Sequence, residues 1–178
     1  QQQPSMRSVL VTGANRGIDL GLTRHLISDP SVAIVIATAR NVESATELNN
    51  LKSPKLHIVK LEVVNENSIA YAVAKVSKIV GDKGLDVLIN NAGISYYTPL
   101  HGDLPKSKMM EIFEVNSVSP MLIANKFYPL LKMASSKKGS AQIEMISSCL
   151  GSIRNSKSVP KDMHIAAYGM SKVCTSSL

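Results

Sequence analysis

The stretch VTGANRGIDLGL (residues 11–22) follows an apolar strand candidate and leads into a segment of helical period. A Gly-rich turn in this position is typical of phosphate sites. Gly13 permits a tight turn, Gly17 lets the backbone approach a phosphate, and the following helix directs free N–H groups at it. The spacing of the glycines alone also fits an ordinary strand-to-helix turn. The stretch contains an aspartate, Asp19, which would place a negative charge at the site.

Outward from this turn, apolar and β-branched runs alternate with segments of helical period. The predicted strands are residues 8–12, 33–38, 56–61, 85–90 and 141–147. The predicted helices are residues 18–28, 42–51, 65–80 and 106–134, the last interrupted near Pro120 and Pro129. Because this alternation requires right-handed crossovers, it predicts an α/β fold. We expect one Rossmann-like domain over residues 1–178, with a doubly wound parallel sheet in a three-layer αβα arrangement.

Composition and charge exclude several classes of protein. The net charge is +7, but Lys and Arg are spread along the chain and aromatic residues are 4%, which favours a polyanionic small cofactor over nucleic acid. No apolar run reaches the roughly 20 residues that span a bilayer, and QQQPSMR lacks the apolar core of a signal peptide. We therefore expect no membrane partner and a soluble, cytoplasmic protein. Cys149 and Cys174 have no metal-ligand spacing, so no metal site or disulfide framework is predicted.

Polar residues follow the predicted strands, where a doubly wound sheet binds its ligands. Arg40 follows the second strand, where a cation suits a 2′-phosphate, and Arg16 could approach the same group. Glu62 follows the third strand and could reach an adenine amine. Each of these side chains could instead be a solvated surface residue. Residues 90–93, Asn-Asn-Ala-Gly, form a polar turn after the fourth strand or a simple loop.

A possible acid–base group follows the fifth strand. Tyr168 and Lys172 are four residues apart on a predicted helix, so their side chains share one face. An ammonium beside a phenol favours the phenolate, which makes Tyr168 a candidate proton donor. A hydroxyl from Ser148 could polarise the carbonyl that receives the proton. Tyrosine and lysine occur four apart on many helices, so the pair alone does not decide.

Taken together, these patterns resemble the short-chain dehydrogenase/reductase family. The resemblance covers essentially the whole chain and rests on T-G-x-x-x-G at Thr12, Gly13 and Gly17, N-N-A-G at residues 90–93, and Y-x-x-x-K at Tyr168 and Lys172. Asn116 in EVNSVSP matches the family's helix asparagine. Within the family, TGANRGI, the ATAR strand end, ISSCLGSI and the long spacer before Tyr168 are similar to sniffer-like, NADPH-dependent carbonyl reductases.

The resemblance implies hydride transfer between NADP(H) and a small-molecule carbonyl or alcohol substrate. It implies Tyr168 as general acid or base, Ser148 as the holder of the carbonyl oxygen, Lys172 as the ligand of the nicotinamide ribose, and Asn116 as support for a water relay. Arg40 and Arg16 would select NADPH over NADH. The implied cofactor site comprises Thr12, Gly13, Asn15, Arg16, Gly17, Ile18, Arg40, Glu62, Val63, Asn91, Ala92, Gly93, Tyr168 and Lys172. Residues 150–165 would border the substrate pocket, and a homodimer is left open.

Two residues depart from the family pattern. Asp19 stands where the family's third glycine lies. Two unit charges about 6 Å apart at an effective dielectric near 20 repel by about 3 kcal/mol, or about a hundredfold in affinity. We therefore expect weakened NADPH binding, offset in part by Arg16 or Arg40. Glu144 lies in the middle of the fifth strand, where the resemblance gives an apolar residue, so either this strand has an open face or Glu144 is strained.

The third departure concerns length. Family members normally continue past this point with further strands, so the chain is expected to lack the family's last strands and to have its fifth strand at a sheet edge. Two functions stay open. One is an NADPH-dependent carbonyl reductase. The other is a catalytically impaired relative that acts as a weak nucleotide-binding or partner-binding module.

Overall fold

The computed structural model describes residues 6–96, 104–154 and 166–175. Its strands are β1 (Arg7–Val11), β2 (Val32–Ala39), β3 (Leu56–Lys60), β4 (Val87–Asn90) and β5 (Gln142–Met145). Its helices are α1 (Gly17–Ser28), α2 (Thr46–Asn49), α3 (Glu66–Val80), α4 (Lys106–Phe113), α5 (Ser119–Lys138) and α6 (Ala166–Thr175). A π-helical turn at Glu114–Val118 joins α4 to α5, and a 3-10 turn at Cys149–Gly151 follows β5.

All five strands are parallel, in the order β3-β2-β1-β4-β5. The chain moves outward from β1 to β3 and then returns to place β4 on the other side of β1. Val11 of β1 is therefore in register with Ala37 on one side and with Ile89 on the other. This reversal confirms the predicted doubly wound sheet and opens a crevice beyond the carboxyl ends of β1 and β4.

Each inner strand supplies side chains to two cores, which is why the strands are continuously apolar. On one face Leu10, Ile36 and Leu88 are fully buried. They belong to a cluster with side chains of α3 and α5, among them Ile69 and Phe127. The opposite cluster contains Val9, Val11, Val35, Leu20 and Leu48, from β1, β2, α1 and α2. The sheet thus lies between two helical layers, as predicted.

Two helix predictions were wrong. The helix expected over residues 42–51 shortens to α2 because the Asn49 amide donates to the Val42 carbonyl (2.8 Å) and closes a turn ahead of it. The expected interruption at Pro129 is absent: α5 passes through it, and Pro129 and Asn125, four residues earlier, are both exposed. The carbonyl that loses its partner can therefore face solvent. The interruption expected near Pro120 is confirmed: the π-helical turn lies directly before Pro120, which stands in the first turn of α5.

The fifth strand has an open face. β5 lies at the edge of the described sheet, and Gln142, Ile143 and Glu144 are all exposed. Of the two alternatives for Glu144, the open face is therefore correct, and its carboxylate needs no buried partner.

Candidate active site

The Gly-rich turn that follows β1 makes a tight contact with the turn that follows β4. Gly13 has φ +74°, and a β-carbon on it would lie 3.0 Å from the Ala92 α-carbon. Gly17 has φ +62°, and a β-carbon there would meet no atom of the described residues within 4 Å. Positive φ is accessible to glycine at little cost. Gly13 is thus required by its close contact with Ala92, whereas Gly17 leaves open space at the start of α1, beside the crevice.

Thr12 ties these two turns together. Its side chain is buried, and its Oγ1 accepts hydrogen bonds from the backbone N–H groups of Asn91 and Ala92, both at 3.0 Å. The same hydroxyl lies 3.5 Å from the Ile89 carbonyl, to which it donates. Thr12 therefore shapes the crevice wall and does not line the crevice itself.

Half of the predicted site residues line one cleft of about 500 Å³. It is lined by Arg16, Gly17, Ile18, Asp19, Asn91, Gly93, Ile94, Ser95, Ile146, Ser147, Ser148, Tyr168 and Lys172. These residues come from the start of α1, the segments after β4 and β5, and α6. The cleft therefore brings the phosphate-type turn and the candidate acid–base group to one place.

Lys172 is held at the back of this cleft. It is 4% exposed, and its Nζ donates to the Ile146 carbonyl at 2.8 Å. The same Nζ lies 5.8 Å from the centroid of the Tyr168 ring, so the expected pairing on one helix face is present as a cation–π contact. Burial lowers the pKa of Lys172 below its ordinary value, and the Asp19 carboxylate opposes that shift. Lys172 is thus held in a fixed position beside the phenol.

Asn116 lies in the π-helical turn, buried behind the cleft wall. Its Oδ1 accepts from the Ile94 N–H (2.8 Å), and its Nδ2 donates to the Ile94 carbonyl (2.9 Å) and to Ser171 Oγ (3.0 Å). Ser171 in turn donates to the Tyr168 carbonyl at 2.7 Å. Asn116 therefore joins the segment after β4 to the helix that carries Tyr168.

The sequence patterns did not single out Ser171 or Gly151. Ser171 is fully buried in the network around Asn116. Gly151 lies in the 3-10 turn after β5, where a β-carbon would lie 2.6 Å from the Lys172 carbonyl oxygen. The available signals were the serine directly before Lys172 and the glycine in ISSCLGSI, but their contacts depend on the position of α6.

Asp19 lies in the first turn of α1, on the cleft lining. Within the described residues its Oδ1 is buried and has no hydrogen-bond partner. Burial raises the pKa of Asp19 to about 6, and the positive charge of Lys172 opposes that shift. The structure thus identifies Lys172 as a cation that acts on Asp19, where the sequence had suggested Arg16 or Arg40.

Arg40 and Glu62 line a second cavity, of about 620 Å³, beyond the ends of β2 and β3. The Arg40 Nε lies 3.6 Å from the Glu62 Oε2, and the two side chains are 80% and 30% exposed. Two residues predicted to bind different parts of a nucleotide therefore contact each other. Exposed pairs of this kind contribute little to stability, so the pair can exchange partners at low cost.

The remaining predicted residues lie elsewhere. Val63 is buried in the core cluster that includes α3, and Asn15 is partly buried in the Gly-rich turn. Most of residues 150–165, expected to border a substrate pocket, fall outside the described residues. In the described part of the chain, no helix is long and apolar enough to cross a membrane, and no group of three or more His, Cys, Asp or Glu could hold a metal ion.

Comparisons with known proteins agree with this geometry. A family model described as short chain dehydrogenase matches residues 7–178. A structure assigned as the carbonyl reductase Sniffer of Caenorhabditis elegans is 41% identical, with a TM-score of 0.90, over 96% of this chain and 75% of that one. NADPH-bound carbonyl reductase from chicken fatty liver is 38% identical, with a TM-score of 0.89, over 97% of this chain and 71% of that one.

Two curated relatives are described as a short chain dehydrogenase and as an oxidoreductase. A short chain dehydrogenase of Penicillium aethiopicum is 35% identical over 96% of this chain and 67% of its own length. An uncharacterised oxidoreductase of Schizosaccharomyces pombe is 35% identical over 91% of this chain and 60% of its own length. The chain thus spans about two thirds of the length of these relatives.

Proposed function

Because the chain belongs to the short-chain dehydrogenase family, we propose that it is an oxidoreductase of the carbonyl reductase type, transferring a hydride between NADP(H) and a small-molecule carbonyl or alcohol. The observation that carries the proposal is the single cleft that holds both the Gly17 turn and the group formed by Ser148, Tyr168 and Lys172. A dinucleotide must reach both ends of such a cleft. The chicken NADPH-bound carbonyl reductase supports this choice of cofactor.

The residues of the cleft fit a dinucleotide. Gly17 leaves open space at the start of α1, and Arg16, at the N-cap, makes no side-chain capping bond, so first-turn N–H groups can receive a phosphate. Arg16 and Lys172 add positive charge on the lining. The exposed Arg40 can exchange Glu62 for a 2′-phosphate, which forms stronger charge-assisted hydrogen bonds. Among the described residues that line the cleft, Asp19 is the one group that opposes the fit.

NADPH supplies the hydride when it is bound. Tyr168 is the proton donor to the carbonyl oxygen, and Ser148 holds that oxygen by a hydrogen bond. Lys172 keeps a positive charge beside the phenol and binds a sugar hydroxyl, since its Nζ faces the cleft from α6. Asn116 acts through Ser171 and the backbone of Tyr168, which fixes the position of the phenol. Support for a water relay is a further role that we propose for Asn116.

Turnover tests the proposal. With a reactive vicinal dicarbonyl as substrate, we expect NADPH consumption, followed by absorbance, to fall by about 10²–10⁴-fold in Tyr168→Phe, the usual contribution of a general acid. Tyr128→Phe is the matched control, because Tyr128 is an exposed tyrosine on α5 away from the cleft lining. Equal rates in parent and Tyr168→Phe would contradict the assigned role of Tyr168.

A second candidate is a module that binds the nucleotide weakly without turnover. The observation in its favour is the Asp19 carboxylate in the cleft, because it repels a diphosphate. Measurable NADPH binding with no turnover for the folded parent chain, over a panel of carbonyl and alcohol substrates, would favour this candidate over the reductase.

A further inference from the structure

Asp19 is the only acidic side chain on the lining of the cleft in the described part of the chain. It lies in the first turn of α1, and its Oδ1 is shielded from solvent without a hydrogen-bond partner among the described residues. A buried oxygen that accepts no hydrogen bond is destabilising for a carboxylate and less so for a neutral carboxyl. The geometry therefore makes the carboxylate less stable relative to the neutral acid than it is in water, even before a ligand enters.

Among the described residues, few charged or titratable groups share the cleft lining with Asp19. Lys172 and Tyr168 face it from α6, and Arg16 precedes it at the start of α1. The segments after β4 and β5 contribute Asn91, Gly93, Ile94, Ser95, Ile146, Ser147 and Ser148, none of which titrates near neutral pH. Lys172 is the cation whose charge acts on Asp19, and it opposes the larger effect of burial, which raises the pKa of Asp19 to about 6.

An anionic ligand changes this balance further. A diphosphate at the start of α1 would bring additional negative charge close to Asp19, which disfavours the carboxylate and favours the neutral acid. A protonated Asp19 can also donate a hydrogen bond to a phosphate oxygen, whereas the carboxylate can only accept one. Protonation thus converts a repulsive group into a ligand of the phosphate.

We propose that Asp19 is an acid-operated gate of the cofactor cleft: the dinucleotide binds the form of the chain in which Asp19 carries a proton, so that binding takes up a proton near neutral pH. The inference rests on the proposed function, because it requires that NADP(H) occupies this cleft. It adds that cofactor affinity rises as the solution becomes acidic. The proton taken up from solvent ends on the Asp19 carboxyl, and no covalent bond to the cofactor forms.

Calorimetry with NADP⁺, which withstands acid better than NADPH, tests the gate in the full chain. Between about pH 5.5 and about pH 7.5, we expect the NADP⁺ affinity of the parent to fall at least about tenfold more than that of Asp19→Asn. The reason is that uptake of one proton on binding changes the affinity by up to tenfold per pH unit. In buffers of different ionisation heat at about pH 7, the parent should take up close to one proton more than Asp19→Asn. At about pH 7.5, the Asp19→Asn variant should bind NADP⁺ more tightly than the parent does.

The difference between parent and variant removes the contribution of the ligand's 2′-phosphate, which titrates in both experiments. Glu66→Gln removes another acid in the first turn of a helix, one that is exposed and pairs with Lys126 away from the cleft, and should behave like the parent. Asp19→Gly provides the same comparison if asparagine prevents folding. Identical pH profiles and proton uptake in parent and variants would overturn the gate alone. Absence of NADP⁺ binding by all folded variants at every pH would overturn the proposed cofactor as well.

Discussion

Gly151 and the backbone of Lys172 are in direct contact: a β-carbon on Gly151 would lie 2.6 Å from the Lys172 carbonyl oxygen and 2.7 Å from its carbonyl carbon. The same carbonyl accepts hydrogen bonds from Ser147 Oγ (3.0 Å) and Thr175 Oγ1 (2.8 Å). The 3-10 turn after β5 and α6 therefore approach as closely as their backbones allow. This contact sets the distance between the Ser148 segment and the helix that carries Tyr168.

Gly151→Ala should displace α6. The added methyl group meets rigid backbone, so we expect a loss of about 1–3 kcal/mol in the free energy of unfolding, the usual cost of overpacking, and a fall in turnover. Denaturant titration and NADPH consumption measure the two effects. Gly21→Ala is the control, because a β-carbon there meets nothing within 4 Å and the helical site favours alanine by about 1 kcal/mol. Equal stability of the parent and Gly151→Ala would contradict the contact.

Thr12→Val should loosen the turn after β4. The substitution keeps the shape of the side chain but removes the oxygen that accepts from the N–H groups of Asn91 and Ala92. We expect a loss of about 1–3 kcal/mol in the free energy of unfolding, because two partly buried N–H donors lose their acceptor. Thr12→Ser retains the hydroxyl and should retain most of the stability. A similar loss in both variants would indicate that the methyl group of Thr12, and not its oxygen, is the important part.

Much of the fold could be predicted because its determinants are local. Runs of apolar and β-branched residues located all five strands to within a few residues. Asn65 caps α3 as expected, with its Oδ1 accepting from the Ser68 N–H at 2.9 Å. The helix through Pro129 could not be predicted, since the cost of proline depends on whether the freed carbonyl faces solvent. The exposure of β5 likewise depends on what packs beside it.

The candidate site likewise has residues that the sequence predicts and contacts that it does not. Residues fixed by a motif, such as Gly17, Tyr168 and Lys172, line the predicted cleft. Relationships between distant segments were not predictable: the effect of Lys172 on Asp19 joins residues 153 positions apart, and the contact of Gly151 with Lys172 depends on the docking of α6. Motif spacing reports which side chains share an element, whereas burial and charge depend on how the elements pack.

Arg40→Ala should change the cofactor preference. Loss of a charge-assisted hydrogen bond to the 2′-phosphate predicts about a tenfold weaker affinity for NADPH, while affinity for NADH, which lacks that phosphate, should stay within about twofold. Equilibrium binding of both cofactors measures the ratio. Arg24→Ala is a matched control: Arg24 also lies 3.6 Å from a glutamate, Glu47, but on α1 and α2. An equal loss for Arg24→Ala would indicate a general effect of net charge.

Asp19 also makes stability depend on pH in the free chain. Its pKa is raised from 3.8 to about 6 in the folded state, so the folded chain holds a proton that the unfolded chain releases between those values. The stability that this proton contributes is fully present below pH 3.8 and is lost as pH rises through about 6. The free energy of unfolding should fall by about 1–2 kcal/mol over this range, a value reduced because the carboxyl is partly exposed and solvent screens its charge.

Asp19→Asn removes this titration, so its free energy of unfolding should exceed that of the parent by an amount that grows from about pH 4 and levels off above about pH 7. Urea titrations at intervals across this range measure the difference, with Glu66→Gln as the exposed first-turn acid for comparison. The measurement needs no cofactor and therefore separates the cost of burying Asp19 from its effect on ligand binding. A difference that stays constant with pH would mean that Asp19 is as well solvated in the folded chain as in the unfolded one.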